Sequence, residues 1–107
     1  MKIEIASFFI ILIIFACGRT KNFASDEERF LGKKKYKIFC VACHGVDGKL
    51  GINGATDLTK SISGLKSRIK TITHGKGLMI PFKSILSAEE IEAVAKYSIH
   101  LRKQSKK

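Results

Sequence analysis

Cys40, Cys43 and His44 stand in one five-residue run, Cys40-Val41-Ala42-Cys43-His44. Thiols three positions apart can add to the two vinyl groups of a single porphyrin. An imidazole directly after the second thiol is then held beneath the iron. Covalent attachment of a c-type haem is the first chemistry the chain offers. The same thiols could in principle bind zinc or exchange disulfides. Zinc takes about four ligands, and besides this pair the chain has only Cys17 and scattered histidines. A thioredoxin-like dithiol belongs in a βαβ setting, which the helical patterning of this chain does not offer.

A haem iron held by His44 has a second axial position to fill. Met79 is the candidate, 35 residues further on, in the segment Gly75-Lys76-Gly77-Leu78-Met79-Ile80-Pro81-Phe82. A lone methionine is ordinarily a core filler, but a haem motif upstream reverses that reading, and the other methionine is the initiator Met1. A thioether is a soft ligand, so a His/Met pair raises the reduction potential. His74 is the alternative ligand, and His100, in the last helical pattern, reads as a surface residue.

These residues need elements to position them. Ser25, followed by Asp26, Glu27 and Glu28, matches a capping box and predicts a helix from about Asp26 to Phe39 that delivers the motif at its C-terminal end. Gly32, a weak helix former, calls for close approach of another helix. From Gly45 to Thr59, Gly45, Gly48, Gly51 and Gly54 mix with Asp47, Asn53 and Asp57, which reads as a loop able to lie close to a flat ring. Ile62, Leu65, Ile69 and Ile72 form a helical stripe. Ser87-Ala88-Glu89-Glu90 is a second capping box, and Ile91, Val94, Ala95, Ser98 and Leu101 continue it as a helix. Tyr97 on that helix is placed to meet Gly32. The expected fold is all-α: three to four helices around one haem, with the first and last crossing.

The 107 residues allow one small domain, and the net charge of +11 raises nucleic acid as a partner. The start of the chain argues against it. A 12-residue apolar run from Ile5 to Ala16 reads as an export signal and is short of the roughly 20 residues a spanning helix needs. Ile14-Phe15-Ala16-Cys17 resembles a bacterial lipoprotein signal, which implies acyl chains on Cys17. The division expected is a signal peptide over 1–16, a lipidated N-terminus and tether over 17–25, and the haem domain over 26–107. The protein would then be a monomer on the periplasmic or cell-surface side of a membrane.

From about Ser25 to Leu101 the chain resembles the monohaem class I cytochromes c of the short bacterial type. The residues that carry the likeness are Gly32, Tyr36 and Cys40 at four-residue steps, the run from Cys40 to Gly45, Asp57-Leu58-Thr59, the Met79 loop with Pro81, and the final helix with Tyr97. The resemblance implies thioether bonds at Cys40 and Cys43, His44 as proximal and Met79 as distal iron ligand, and one haem c with its iron. It implies a one-electron carrier rather than an enzyme, and Lys76 and Lys83, which flank the Met79 loop, are the candidates for a positive rim that steers redox partners with acidic docking surfaces. Two residues depart from the family pattern: Thr56 replaces a proline near the carbonyl that receives the histidine N–H, and Ile80 separates Met79 from Pro81. Two other functions compete: a small-ligand sensor or peroxidase-like protein with a labile sixth site, and a haem subunit of a larger oxidoreductase complex.

Overall fold

A computed structural model describes residues 20–107, with side chains from Ser25 onward. The expected signal sequence and Cys17 lie outside the described residues. The described residues form four α-helices: α1 (Thr20–Phe39), the single turn α2 (Val41–His44), α3 (Leu65–His74) and α4 (Ala88–Gln104), with a short 3-10 turn at Ile52–Gly54 inside the long loop. The fold is all-α, as expected. None of the described helices is long and apolar enough to cross a membrane.

α1 begins at Thr20, so Ser25 lies within it rather than at its cap. No glycine or proline interrupts residues 20–24, and a local capping pattern cannot stop a helix that nothing upstream breaks. The stripe expected from Ile62 is likewise shorter. α3 is capped at Gly64, in extended backbone, and Ile62 stays outside it, 92% exposed.

α4 starts where the sequence indicates. The Ser87 hydroxyl accepts from the Glu90 amide at 3.1 Å, and the Glu90 carboxylate accepts from the Ser87 amide at 2.9 Å. Two otherwise orphaned donors at the helix start are thereby satisfied. The inner face of α4 carries Ile91, Val94, Ala95 and Leu101, which join Tyr36 of α1, Ile72 of α3, and Phe82 and Leu86 of the intervening segment in one core. Each large apolar side chain so buried contributes roughly 1.5–3 kcal/mol.

The helices cross where Gly32 was expected to meet Tyr97. A Cβ at Gly32 would collide with the Ala93 carbonyl oxygen and stand 3.1 Å from the Tyr97 Cβ. Tyr97 in turn packs on Tyr36, ring centroids 5.2 Å apart. Ion pairs rim the crossing: Lys35 with Glu90 at 2.7 Å, and Lys96 with Glu28 at 2.6 Å.

Gly32→Ala should lower stability by about 1–3 kcal/mol, because the new methyl meets backbone that cannot turn aside. Urea unfolding of the haem-loaded protein measures this. Glu90 supplies a pH signature. The hydrogen bond from Lys35, then that from the Ser87 amide, holds its pKa below the usual carboxylate value. Its stabilising effect is therefore complete above that usual value and fades as pH falls through the depressed one. The stability gap between wild type and Glu90→Gln, followed by urea unfolding at successive pH values, should narrow below about pH 4.

Candidate functional site

Tyr36 is 1% exposed, and its hydroxyl donates to the Gly45 carbonyl at 2.7 Å. Burial, with lesser contributions from Cys40, Tyr97 and Asp47, pushes the phenol pKa up, so it remains a donor. The Cys40 amide donates to the Tyr36 carbonyl and the His44 amide to the Cys40 carbonyl, each at 2.9 Å. The motif is thus fastened from its own helix, with Tyr36 clamping the residue just after the histidine. Gly45 turns the chain with φ of +79°, a conformation open to glycine at little cost.

His44 Nδ1 lies 3.0 Å from the Thr56 carbonyl oxygen. A carbonyl can only accept, so Nδ1 carries the hydrogen and Nε2 keeps its lone pair, the tautomer a metal-bound imidazole needs. Threonine at position 56 still supplies the acceptor, because the acceptor is backbone.

Met79 is held by a tight turn. The Lys76 amide donates to the Met79 carbonyl at 3.1 Å and the Met79 amide to the Lys76 carbonyl at 3.0 Å. Beyond the turn, the Phe82 and Lys83 amides donate to Ile72 and Thr73 at 2.9 and 3.2 Å, filling carbonyls at the end of α3. Gly75 makes the fit possible. Its φ is +75°, and a Cβ there would strike the Met79 carbonyl and stand 3.0 Å from the Ile80 carbonyl carbon and the Pro81 nitrogen.

Cys40, His44 and Met79 line one cleft of about 540 Å³, walled by Tyr36, Ile72 and Val94. That volume is in the range of cofactor sites. Cys43 is half-buried on α2 but not on the cleft wall. His74 is exposed at the end of α3 and does not reach the cleft. His100 is more than a surface residue. It is partly buried and accepts from Arg29 at Nε2 over 2.6 Å, on a different face from the cleft.

Arg68 is the site residue that sequence reasoning missed. It lies on the cleft wall, only 5% exposed. It donates to Ser98 Oγ at 2.8 Å and to the carbonyls of Ser61, Ser63 and Leu58 at 3.0, 3.2 and 3.3 Å. Burial, then Arg102, pushes its pKa down. Among the described residues no carboxylate pairs with it. A buried cation satisfied only by neutral oxygens suits the carboxylate arms of a haem. The apolar walls, the free Nε2 and the thioether fit the ring and its iron.

The thiol chemistry fits less well with the rival readings. Burial, reinforced by Cys43, pushes the Cys40 thiol up to about 11, whereas disulfide exchange needs a thiolate. Among the described residues no three histidine, cysteine or acidic side chains gather as a metal group.

The family model described as cytochrome c oxidase, cbb3-type, subunit III matches residues 31–97. The chain is 32% identical to cytochrome c6 of Rippkaea orientalis over 103 residues, 91% of each chain. It is 34% identical to cytochrome c6 of Gloeothece citriformis over 104 residues, covering 91% of this chain and 92% of that one. With cytochrome c6 of Aphanizomenon flos-aquae it shares 39% over 72 residues, 62% of this chain and 82% of the relative. The chain belongs to the cytochrome c family. Its cofactor is covalently bound haem c with iron.

Gly75→Ala should loosen the Met79 segment, at a cost of about 1–3 kcal/mol. Hydrogen exchange followed by mass spectrometry should show faster exchange at Met79 and Phe82, with α4 little changed.

Proposed function

We propose that this chain is a monohaem class I carrier in which Cys40 and Cys43 form the thioether bonds, His44 is the proximal ligand and Met79 the distal one. The observation that carries this reading is one cleft lined by Cys40, His44 and Met79, with the His44 ring fixed through Nδ1 so that Nε2 is free. Haem c supplies a one-electron iron couple and no substrate bond is made or broken, in keeping with an electron carrier rather than an enzyme.

Each residue then has a task. Thr56 holds the imidazole in one orientation through its carbonyl. The Lys76–Met79 turn, with the hydrogen bonds of Phe82 and Lys83 to α3 just beyond it, limits movement of the sulfur. Tyr36, Ile72 and Val94 exclude water, and a soft ligand in a dry wall favours the reduced iron. Arg68 lies ready to pair with a haem carboxylate.

Lys76, on the cleft wall, and Lys83, just beyond the Met79 loop, are exposed. Ile62, Leu78 and Ile80 stand out beside them at 92%, 79% and 57% exposure. We read this rim as the docking surface for redox partners with acidic faces, the lysines steering encounter and the aliphatic side chains making contact. Residues 1–16 as an export signal and Cys17 as a lipidated N-terminus would place the carrier outside the cytoplasm, held at a membrane beside its partners.

Met79→Ala should convert the iron to a high-spin or substituted form, seen as loss of the methionine-to-iron band in the visible spectrum of the oxidised protein. The reduction potential should fall as the soft ligand is lost. An unchanged spectrum would reject Met79 as ligand.

A further inference from the structure

On the side of α1 opposite Gly32 and Tyr36, Phe30, Lys33, Lys34, Lys37 and Ile38 recur at i, i+3, i+4, i+7 and i+8, one continuous helical stripe. Phe30 is 70% and Ile38 61% exposed. The three lysines are exposed and form no ion pair among the described residues. Their neighbours are otherwise engaged: Lys35 pairs with Glu90, and Glu28 with Lys96. The acidic residues near the stripe are Asp26 and Glu27, one turn before Phe30.

Two bulky apolar side chains among three unpaired cations are costly to leave in water, and they match the interfacial zone of a bilayer. There, rings and aliphatic groups sink below the headgroups while lysines meet phosphate. The helix that bears the stripe is also the one joined to the N-terminal apolar segment. Only Gly18 and Arg19 separate Cys17 from Thr20, the first described residue of α1.

We propose that the outer face of α1 lies against an anionic lipid surface, with Phe30 and Ile38 in the interface and Lys33, Lys34 and Lys37 on lipid phosphates. The proposal rests on the reading of residues 1–17 as a membrane attachment, and adds to it a lipid charge and an orientation. The attachment brings the helix to the surface; the stripe decides which side faces it.

The test uses the haem-loaded full chain on phosphatidylglycerol-containing vesicles and on neutral phosphatidylcholine vesicles. Lysine acetylation, read by mass spectrometry, should be about fivefold slower or more at Lys33, Lys34 and Lys37 on the anionic vesicles. Lys66 and Lys70 on α3 and Lys103 on α4 should react alike on both. Equal reactivity of the stripe on the two surfaces, with the protein bound to both, overturns the proposal and leaves the attachment standing. Failure to sediment with neutral vesicles counts against the attachment instead, while lysine protection on the anionic ones still supports the face. As a second measure, the variant Lys33→Gln/Lys34→Gln/Lys37→Gln should lose about a hundredfold of the preference for anionic over neutral vesicles at low salt. The matched variant Lys66→Gln/Lys70→Gln/Lys103→Gln should lose much less. Equal losses would mean that net charge alone is at work, and would also overturn the proposal.

Discussion

The crossing of α1 over α4 at Gly32 is the contact from which the rest of the domain is hung. Because no side chain separates the helices there, α1 lies against the Ala93 carbonyl, and Tyr36 one turn later is driven into the core. Its hydroxyl then reaches the Gly45 carbonyl, fixing the residue after His44. A packing constraint between two helices thus becomes a positional constraint on an imidazole, through one buried phenol. The second support is independent. α3 receives the Phe82 and Lys83 amides on its terminal carbonyls, and the Met79 turn is tied to it.

The cleft combines apolar walls with one buried cation. Arg68 has its hydrogen bonds met by Ser98 and by loop carbonyls, yet its charge is not neutralised by any carboxylate among the described residues. Nearby positive charge favours whichever redox state carries one fewer positive charge, so Arg68 biases the site toward reduction. A haem carboxylate seated in the cleft would find its partner in the same guanidinium, and pairing would offset part of that bias.

Much of this was visible in the residues, and the exceptions have physical reasons. The haem run, the Ser87–Glu90 box and the pairing of Gly32 with Tyr97 are carried by residue type at fixed spacing, and the structure contains the last two as expected. The start of α1 was misjudged, because Ser25 looks like a cap while residues 20–24 before it are already helical. Ile62 fits the period of α3 but falls before its Gly64 cap. Arg68 could not be found, since an arginine among Lys66 and Lys70 reads as solvent-facing and its partners are mostly carbonyls, which no sequence pattern announces. Only Ser98, a polar residue on the buried stripe of α4, hinted that something polar waited across the core.

The acceptor that orients His44 has one more implication. Every amino acid brings the same carbonyl oxygen to position 56, so no point substitution there can delete the acceptor. The contact is encoded in the path of the chain, and what could abolish it is a change in loop length or direction between Gly45 and Thr59. The imidazole's orientation is therefore robust to spelling errors at its partner and vulnerable to insertions and deletions.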